Sequence, residues 1–216
     1  MLDLLKFAIL GAASGSVLAL LGIGVSVIYR ASRVMNFSQA AIAVAAAYLY
    51  SDFVKFAPTW VAIPLALLAG LAIGALVELL VMRPLKNGSS LTKAIATIGV
   101  LLVLQATLNI RYGYNPILVS PWLPTDSITL FGITLSVDRY LTILIVLVVT
   151  AAVYFFFKKS PIGLASTALS VNPRALAALG PQSPPVVSVV NWMISGVLAA
   201  LAGLLRLPVT ALAPAL

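Results

Sequence analysis

Asn36, Ser38 and Gln39 lie within four residues of one another at the start of an Ala-rich apolar run that ends near Ser51. Two amides and a hydroxyl donate and accept hydrogen bonds but do not titrate near neutral pH, so they offer binding and passage of a polar solute rather than proton transfer. Inside hydrocarbon such groups are costly unless they face protein or water. Two readings stand side by side. The first is a broken helix whose polar turn lines a translocation path, as in transporters that bind near the membrane midplane. The second is a polar collar at the cytoplasmic rim, with Asn36 or Ser38 capping the helix.

A second constellation lies between the last two apolar runs: Asn172-Pro173-Arg174-Ala175-Leu176-Ala177-Ala178-Leu179-Gly180-Pro181. Asn172 suits the N-cap of a short helix, Pro173 its first position, Gly180 the left-handed residue after its end and Pro181 the stop. Leu176 and Leu179, three apart, share a face. So short a helix is not stable alone in water, so it packs on its own bundle or on a soluble partner.

The absences narrow the chemistry further. With 0 His and 0 Cys the chain has no imidazole base and no thiolate, which predicts no metal site and no cofactor. Serines such as Ser14 and Ser195 therefore lack a His base, and every Lys lies at the end of an apolar run, so an intramembrane hydrolase is a poor fit. No carboxylate, His or basic residue falls near the middle of a run, which disfavours proton coupling. No Walker A sequence is present to cradle nucleotide phosphates, so energy for uphill transport would come from another polypeptide.

These residues are carried by a chain that is 62% hydrophobic and 8% charged, a composition that cannot cover a water-soluble surface. The lipid bilayer is its solvent. Apolar runs long enough to cross about 30 Å of hydrocarbon fall near Phe7 to Tyr29, Val34 to Ser51, Thr59 to Met82, Ala94 to Ile110, Tyr140 to Phe157 and Val186 to Leu205. All must be helical, because lipid offers no partner for free backbone groups and the alternation of a barrel is missing. The predicted fold is thus all-α, a polytopic transmembrane bundle of about six spans forming one domain over residues 1–216. The first run is too long for a typical signal core, and Asp3 offsets Lys6, so it reads as uncleaved.

The net charge of +8 resides in short clusters between the runs, which fits topology better than nucleic-acid binding. Alternate connections put Arg30, Arg33, Arg83, Lys86, Lys93, Lys158, Lys159 and Arg174 on one side and Lys6, Lys55, Arg111, Arg139 and Arg206 on the other. The richer side is expected to be cytoplasmic, which places the N-terminus outside, residues 111–139 in an extracytoplasmic loop and residues 158–185 in a cytoplasmic coupling loop. In the outer loop Tyr112, Tyr114 and Trp122 suit an aromatic belt, and Ile128 to Val137, with Gly132 at its centre, suits a small hairpin. Glu78, a turn from the inner end of its run, is expected to snorkel towards Arg83 and Lys86. Gln105, Asn109 and Asn191 suit hydrogen bonds between helices. Gly11, Gly15, Gly22 and Gly24, then Gly70 and Gly74, then Gly196 and Gly203 mark faces where helices approach closely.

Taken together, the motifs resemble the permease subunits of branched-chain amino acid importers of the ABC class, a family that also includes urea and short-amide permeases. Asn36-Phe37-Ser38-Gln39 is similar to the family's Asn-Phe-Ala-His/Gln-Gly signature. Arg83-Pro84-Leu85, Ala96-Thr97-Ile98-Gly99 and Leu104-Gln105 resemble its next conserved stretch. Ser160 to Gly163, Asn172-Pro173, Ala177 to Gly180 and Leu198 to Pro208 resemble its cytoplasmic loop and following helix. Ala40 stands where the family has Gly, and Leu164 and Thr167 where it has basic residues. Family members continue through two or more further helices, so the resemblance implies that this chain is C-terminally truncated.

The resemblance implies an inner-membrane subunit without enzymatic activity of its own. It would work with a homologous permease subunit, two cytoplasmic ATP-binding subunits and an extracytoplasmic solute-binding protein. Solute would pass beside Gly11 and Gly15 of the first span and the turn at Asn36, Ser38 and Gln39. The ATPase would be coupled through Asn172, Pro173, Arg174, Leu176, Leu179 and Gly180. The competing readings are a self-contained secondary carrier or channel, and a structural membrane subunit that transports nothing.

Overall fold

The computed structural model describes residues 2–113, 119, 121–130, 133–172, 176–177 and 183–207. In chain order these form α1 (Leu2–Ser32), α2 (Gln39–Phe53), α3 (Thr59–Leu76) continued by a π-helical turn (Val77–Met82), α4 (Ser90–Tyr112), β1 (Ser127–Leu130), β2 (Ile133–Ser136), α5 (Val137–Lys159), α6 (Pro161–Val171) and α7 (Pro184–Arg206). Five helical stretches, including Lys6–Ser32 of α1 and Thr59–Met82 of α3, are long and apolar enough to cross a membrane. The chain is a polytopic helical bundle.

The expected second span departs from its predicted bounds. Residues 34–36 have no regular structure, a turn follows at 37–38, and α2 begins only at Gln39. Its 15 residues reach about 22 Å, less than the hydrocarbon thickness. Polar side chains that bond the local backbone compete with helix, so the segment stays irregular through Ser38. A second difference is α6, an 11-residue helix where the sequence suggests only a loop. Ser160 starts it, its hydroxyl accepting from Gly163 N–H at 3.0 Å, with Pro161 in the first position.

The bundle is organised around α7, which packs against α1, α2 and α3. Its small residues make this possible. A Cβ at Gly70 would lie 2.5 Å from Ala200 Cβ and 2.6 Å from the Gly196 carbonyl oxygen, while one at Gly74 or Gly203 would strike the backbone of Trp192 or Ala43. The Gly70/Gly74 pair is therefore spent on the α3–α7 contact, where small residues let backbones meet without help from a hydrophobic drive. Gly11, Gly15 and Gly22, by contrast, have nothing within 4 Å and lie on the exposed face of α1. On α4 and α5 the exposed faces are apolar, carrying Ile95, Leu102 and Val103, and Leu144, Leu147 and Val148.

The expected hairpin is present: β1 and β2 pair antiparallel, with Ser127 opposite Ser136 and Leu130 opposite Ile133. Tyr112 and Trp122 turn inwards rather than standing as a simple belt. The Tyr112 hydroxyl donates to Asp52 at 2.6 Å, and Trp122 Nε1 donates to the Leu204 carbonyl at 3.0 Å. Tyr114 and Gly132 lie outside the described residues. At this end Asp52 also accepts from Lys55 and Arg111, at 2.7 and 2.8 Å, tying the end of α2 to the end of α4.

Candidate functional site

Asn36 folds back on its own segment, its Oδ1 accepting from Ser38 N–H at 3.0 Å and from the Ser38 hydroxyl at 2.6 Å. This Asx-type turn replaces a helix cap: the Ser38 side chain caps nothing. Asn36 Nδ2 donates to Gln39 Oε1 at 3.1 Å, and Gln39 Nε2 donates to the Ser195 carbonyl of α7 at 3.1 Å. The Ser195 hydroxyl lies 2.9 Å from both Gln39 Oε1 and the Gly24 carbonyl of α1. Asn36, Ser38, Gln39 and Ser195 are each at most 3% exposed.

The depth of this network follows from α7. Ser195 is the central residue of Pro184–Arg206, with eleven residues on either side (195 − 184 and 206 − 195). The polar turn thus sits halfway along a membrane-length helix, not at its rim. Thr97 of α4 supports it from outside, its hydroxyl accepting from Phe37 N–H at 3.1 Å and donating to the Ala94 carbonyl at 2.7 Å. A Cβ at Gly24 would displace the Gln39 amide from this network, so glycine leaves room for it. The sequence marks Gly24 and Ser195 only as a packing glycine and an unassisted hydroxyl; Ser195 meets Gln39 across 156 residues and Gly24 across 171.

The other expected path residues, Gly11 and Gly15, are not brought to this network. They lie on the open face of α1, with Gly22 in line with them.

Between the network and the end of the bundle that gathers Arg33, Arg83, Lys86 and Lys93 lies a cavity of about 570 Å³. Val34, at the head of the irregular segment, and Trp192, nearly one turn from Ser195, reach its wall. Glu78 reaches it from the π-helical turn, in which Arg83 N–H donates to the Glu78 carbonyl five residues back at 2.7 Å. Such wide turns recur at functional sites. Glu78 does not snorkel outward as expected. It is buried, with Ser188, Lys93 and Arg83 around it, and no cation comes within 4.0 Å of its carboxylate among the described residues. Arg33 enters the wall with φ of 55°, the left-handed region, its N–H closing α1 on the Tyr29 carbonyl at 2.9 Å. Glycine usually fills that position.

Of the expected coupling residues, Pro173, Arg174, Leu179 and Gly180 lie outside the described residues. Asn172 ends α6, and its carbonyl accepts from Leu176 N–H at 3.1 Å. Leu176 is buried with Ala165 of α6 and Val187 of α7. Asn191 ties those two helices as expected of it, donating to Ser166 Oγ at 2.8 Å.

The family described as branched-chain amino acid transport system / permease component matches residues 7–215. The chain is similar to the high-affinity branched-chain amino acid transport system permease protein BraD of Pseudomonas aeruginosa. The two are 24% identical over 214 residues, which cover 90% of this chain and 68% of that protein. No solved structure matches the chain.

Proposed function

Because the chain belongs to the branched-chain amino acid transport permease family, we propose that it is the membrane-spanning subunit of an ATP-driven importer for branched-chain amino acids or related small solutes. The observation that carries this beyond the family is the break ahead of α2: an irregular polar segment held at mid-depth against the centre of α7. Non-helical backbone at membrane depth is tolerated where it is buried in protein or lines a cavity, and carriers place their solute sites at such breaks.

In this reading the chain hydrolyses nothing itself and sits in the inner membrane with its N-terminus outside. Two cytoplasmic ATP-binding subunits, a homologous permease subunit and an extracytoplasmic solute-binding protein complete the assembly. The open face of α1 with Gly11 and Gly15 meets the second permease. Solute passes beside that face and the Asn36–Gln39 turn. The segment after Asn172, with Pro173, Arg174, Leu176, Leu179 and Gly180, transmits ATP-driven closure to α6 and α7, against which Leu176 is packed. Transmission requires that the ATPase contact this segment differently in the two access states.

The deciding experiment reconstitutes the chain with its partner subunits in proteoliposomes and measures leucine uptake with and without ATP, for the native chain and for Arg174→Glu. ATP-dependent uptake in the native chain, with hydrolysis retained but uptake lost in the variant, is the expected result. Uptake that proceeds without the ATPase would make the chain a self-contained carrier. No uptake from the complete assembly would leave it a structural subunit.

A further inference from the structure

The cavity beneath the polar turn separates opposite charges. Glu78, 7% exposed and held by the π-helical turn, lines it together with Arg33, Arg83, Lys86 and Lys93, none of which comes within 4.0 Å of the Glu78 carboxylate. A buried carboxylate is ordinarily paired directly, because desolvating an unpaired one is expensive. Here the Glu78 carboxylate is hydrogen-bonded by Ser188 but has no cation within 4.0 Å among the described residues, and Lys93 Nζ donates instead to the Lys86 carbonyl at 3.1 Å. Trp192, Met82 and Leu169 add apolar wall to the same cavity.

We infer that this cavity is a binding subsite for a zwitterionic α-amino acid with an apolar side chain. Glu78 receives the ammonium group, Arg83 with its neighbouring cations receives the carboxylate, and Trp192 and Met82 cover the side chain. The assignment rests on the proposed transport function, for which it supplies a station on the inner side of the Asn36–Gln39 turn. Three observations beside the charge pattern converge on it. The π-helical turn places Glu78, Arg33 holds a left-handed backbone where glycine would be unstrained, and Val34 joins the wall to the irregular segment ahead of α2. A simple anion is a poorer match, since its charge would face Glu78. A zwitterion satisfies both walls at once, and 570 Å³ accommodates a leucine with several waters.

The test uses the permease assembled with its partner subunits in phosphatidylcholine nanodiscs, without the extracytoplasmic binding protein. Saturation transfer from protein to the L-leucine methyl groups is the signal. Glu78→Gln and Arg83→Gln should each weaken leucine by about tenfold or more, the loss expected for a charge-assisted hydrogen bond. Leucine methyl ester and 4-methylpentanoate, each lacking one charge, should bind the native assembly about tenfold more weakly for the same reason. Glu78→Asp, which keeps the charge, should retain binding and guards against misfolding as the cause.

Binding of 4-methylpentanoate equal to that of leucine, and unaffected by Glu78→Gln, would make the cavity an anion site and overturn the inference. Occupation by O-phosphoethanolamine in preference to leucine would assign it to a lipid headgroup and also overturn it. No leucine signal from an assembly that performs ATP-driven leucine uptake would refute the subsite while leaving the transport function standing. An assembly that performs no uptake would remove both.

Discussion

Gln39 of α2 and Ser195 of α7 face each other through two contacts, the Gln39 amide donating to the Ser195 carbonyl at 3.1 Å and the Ser195 hydroxyl reaching Gln39 Oε1 at 2.9 Å. That hydroxyl lies equally close to the Gly24 carbonyl, and a single proton serves one acceptor at a time. Gln39 Oε1 keeps the Asn36 amide in either case. The junction of α1, α2 and α7 can therefore exchange one hydrogen bond without leaving Gln39 unsatisfied.

Replacing Gln39 by Leu should destabilise the bundle by about 1–3 kcal/mol, because it strands the buried Asn36 amide and removes the second hydrogen bond of the Ser195 carbonyl. Ser195→Ala removes only the exchangeable bond and should cost about 0.6 kcal/mol, the average for interhelical bonds in membranes. Unfolding in mixed detergent micelles measures both. Equal costs for the two changes would contradict the asymmetry described above.

Gly196→Val and Gly70→Val should each cost about 1–3 kcal/mol or prevent folding, since any side chain there meets the backbone of the facing helix. Gly11→Val and Gly15→Val should leave thermal stability of the isolated chain unchanged, as nothing lies within 4 Å. The same two changes should reduce co-purification with the homologous permease. Normal assembly of the Gly11 and Gly15 variants would remove that face from the interface.

Asp52→Asn should weaken the end of the bundle where α2 meets α4 by about 1–3 kcal/mol, because Lys55, Arg111 and Tyr112 all converge on one carboxylate. Hydrogen exchange at the ends of α2 and α4 should rise together while exchange around Ser195 stays unchanged.

Arg33→Asn should raise thermal stability by up to about 1 kcal/mol, since Asn tolerates the left-handed backbone that Arg33 holds at φ of 55°. Leucine binding in the cavity should weaken at the same time. A variant that gains neither stability nor loses binding would separate the strained backbone from function.

The long spans were legible because hydropathy over some twenty residues reports burial in lipid whatever the partner. The start of α2 was not: the turn at Asn36 reads equally as a rim or as a mid-membrane break, and only the position of Ser195 along α7 decides its depth. Likewise Gly11/Gly15 and Gly70/Gly74 have the same spacing but opposite surroundings, a difference that resides in the facing helix. The 11 residues of α6 are too few for a span signal, and Asp52 meets Arg111 across 59 positions. Glu78 looked like a snorkelling acid because its neighbours in sequence are basic; the π-helical turn and the cavity that bury it leave no periodic trace.

The place of α7 in the chain has a consequence for biosynthesis. Gly70, Gly74, Ala43 and Gln39 all find their partners on a helix that begins at Pro184. While the ribosome is still making that helix, α2 and α3 are already in the bilayer with an unfilled groove between them and the Gln39 Nε2 donor without its Ser195 acceptor. Lipid or an insertion chaperone must occupy that groove until α7 arrives, so early translational arrest should yield an inserted but uncondensed chain.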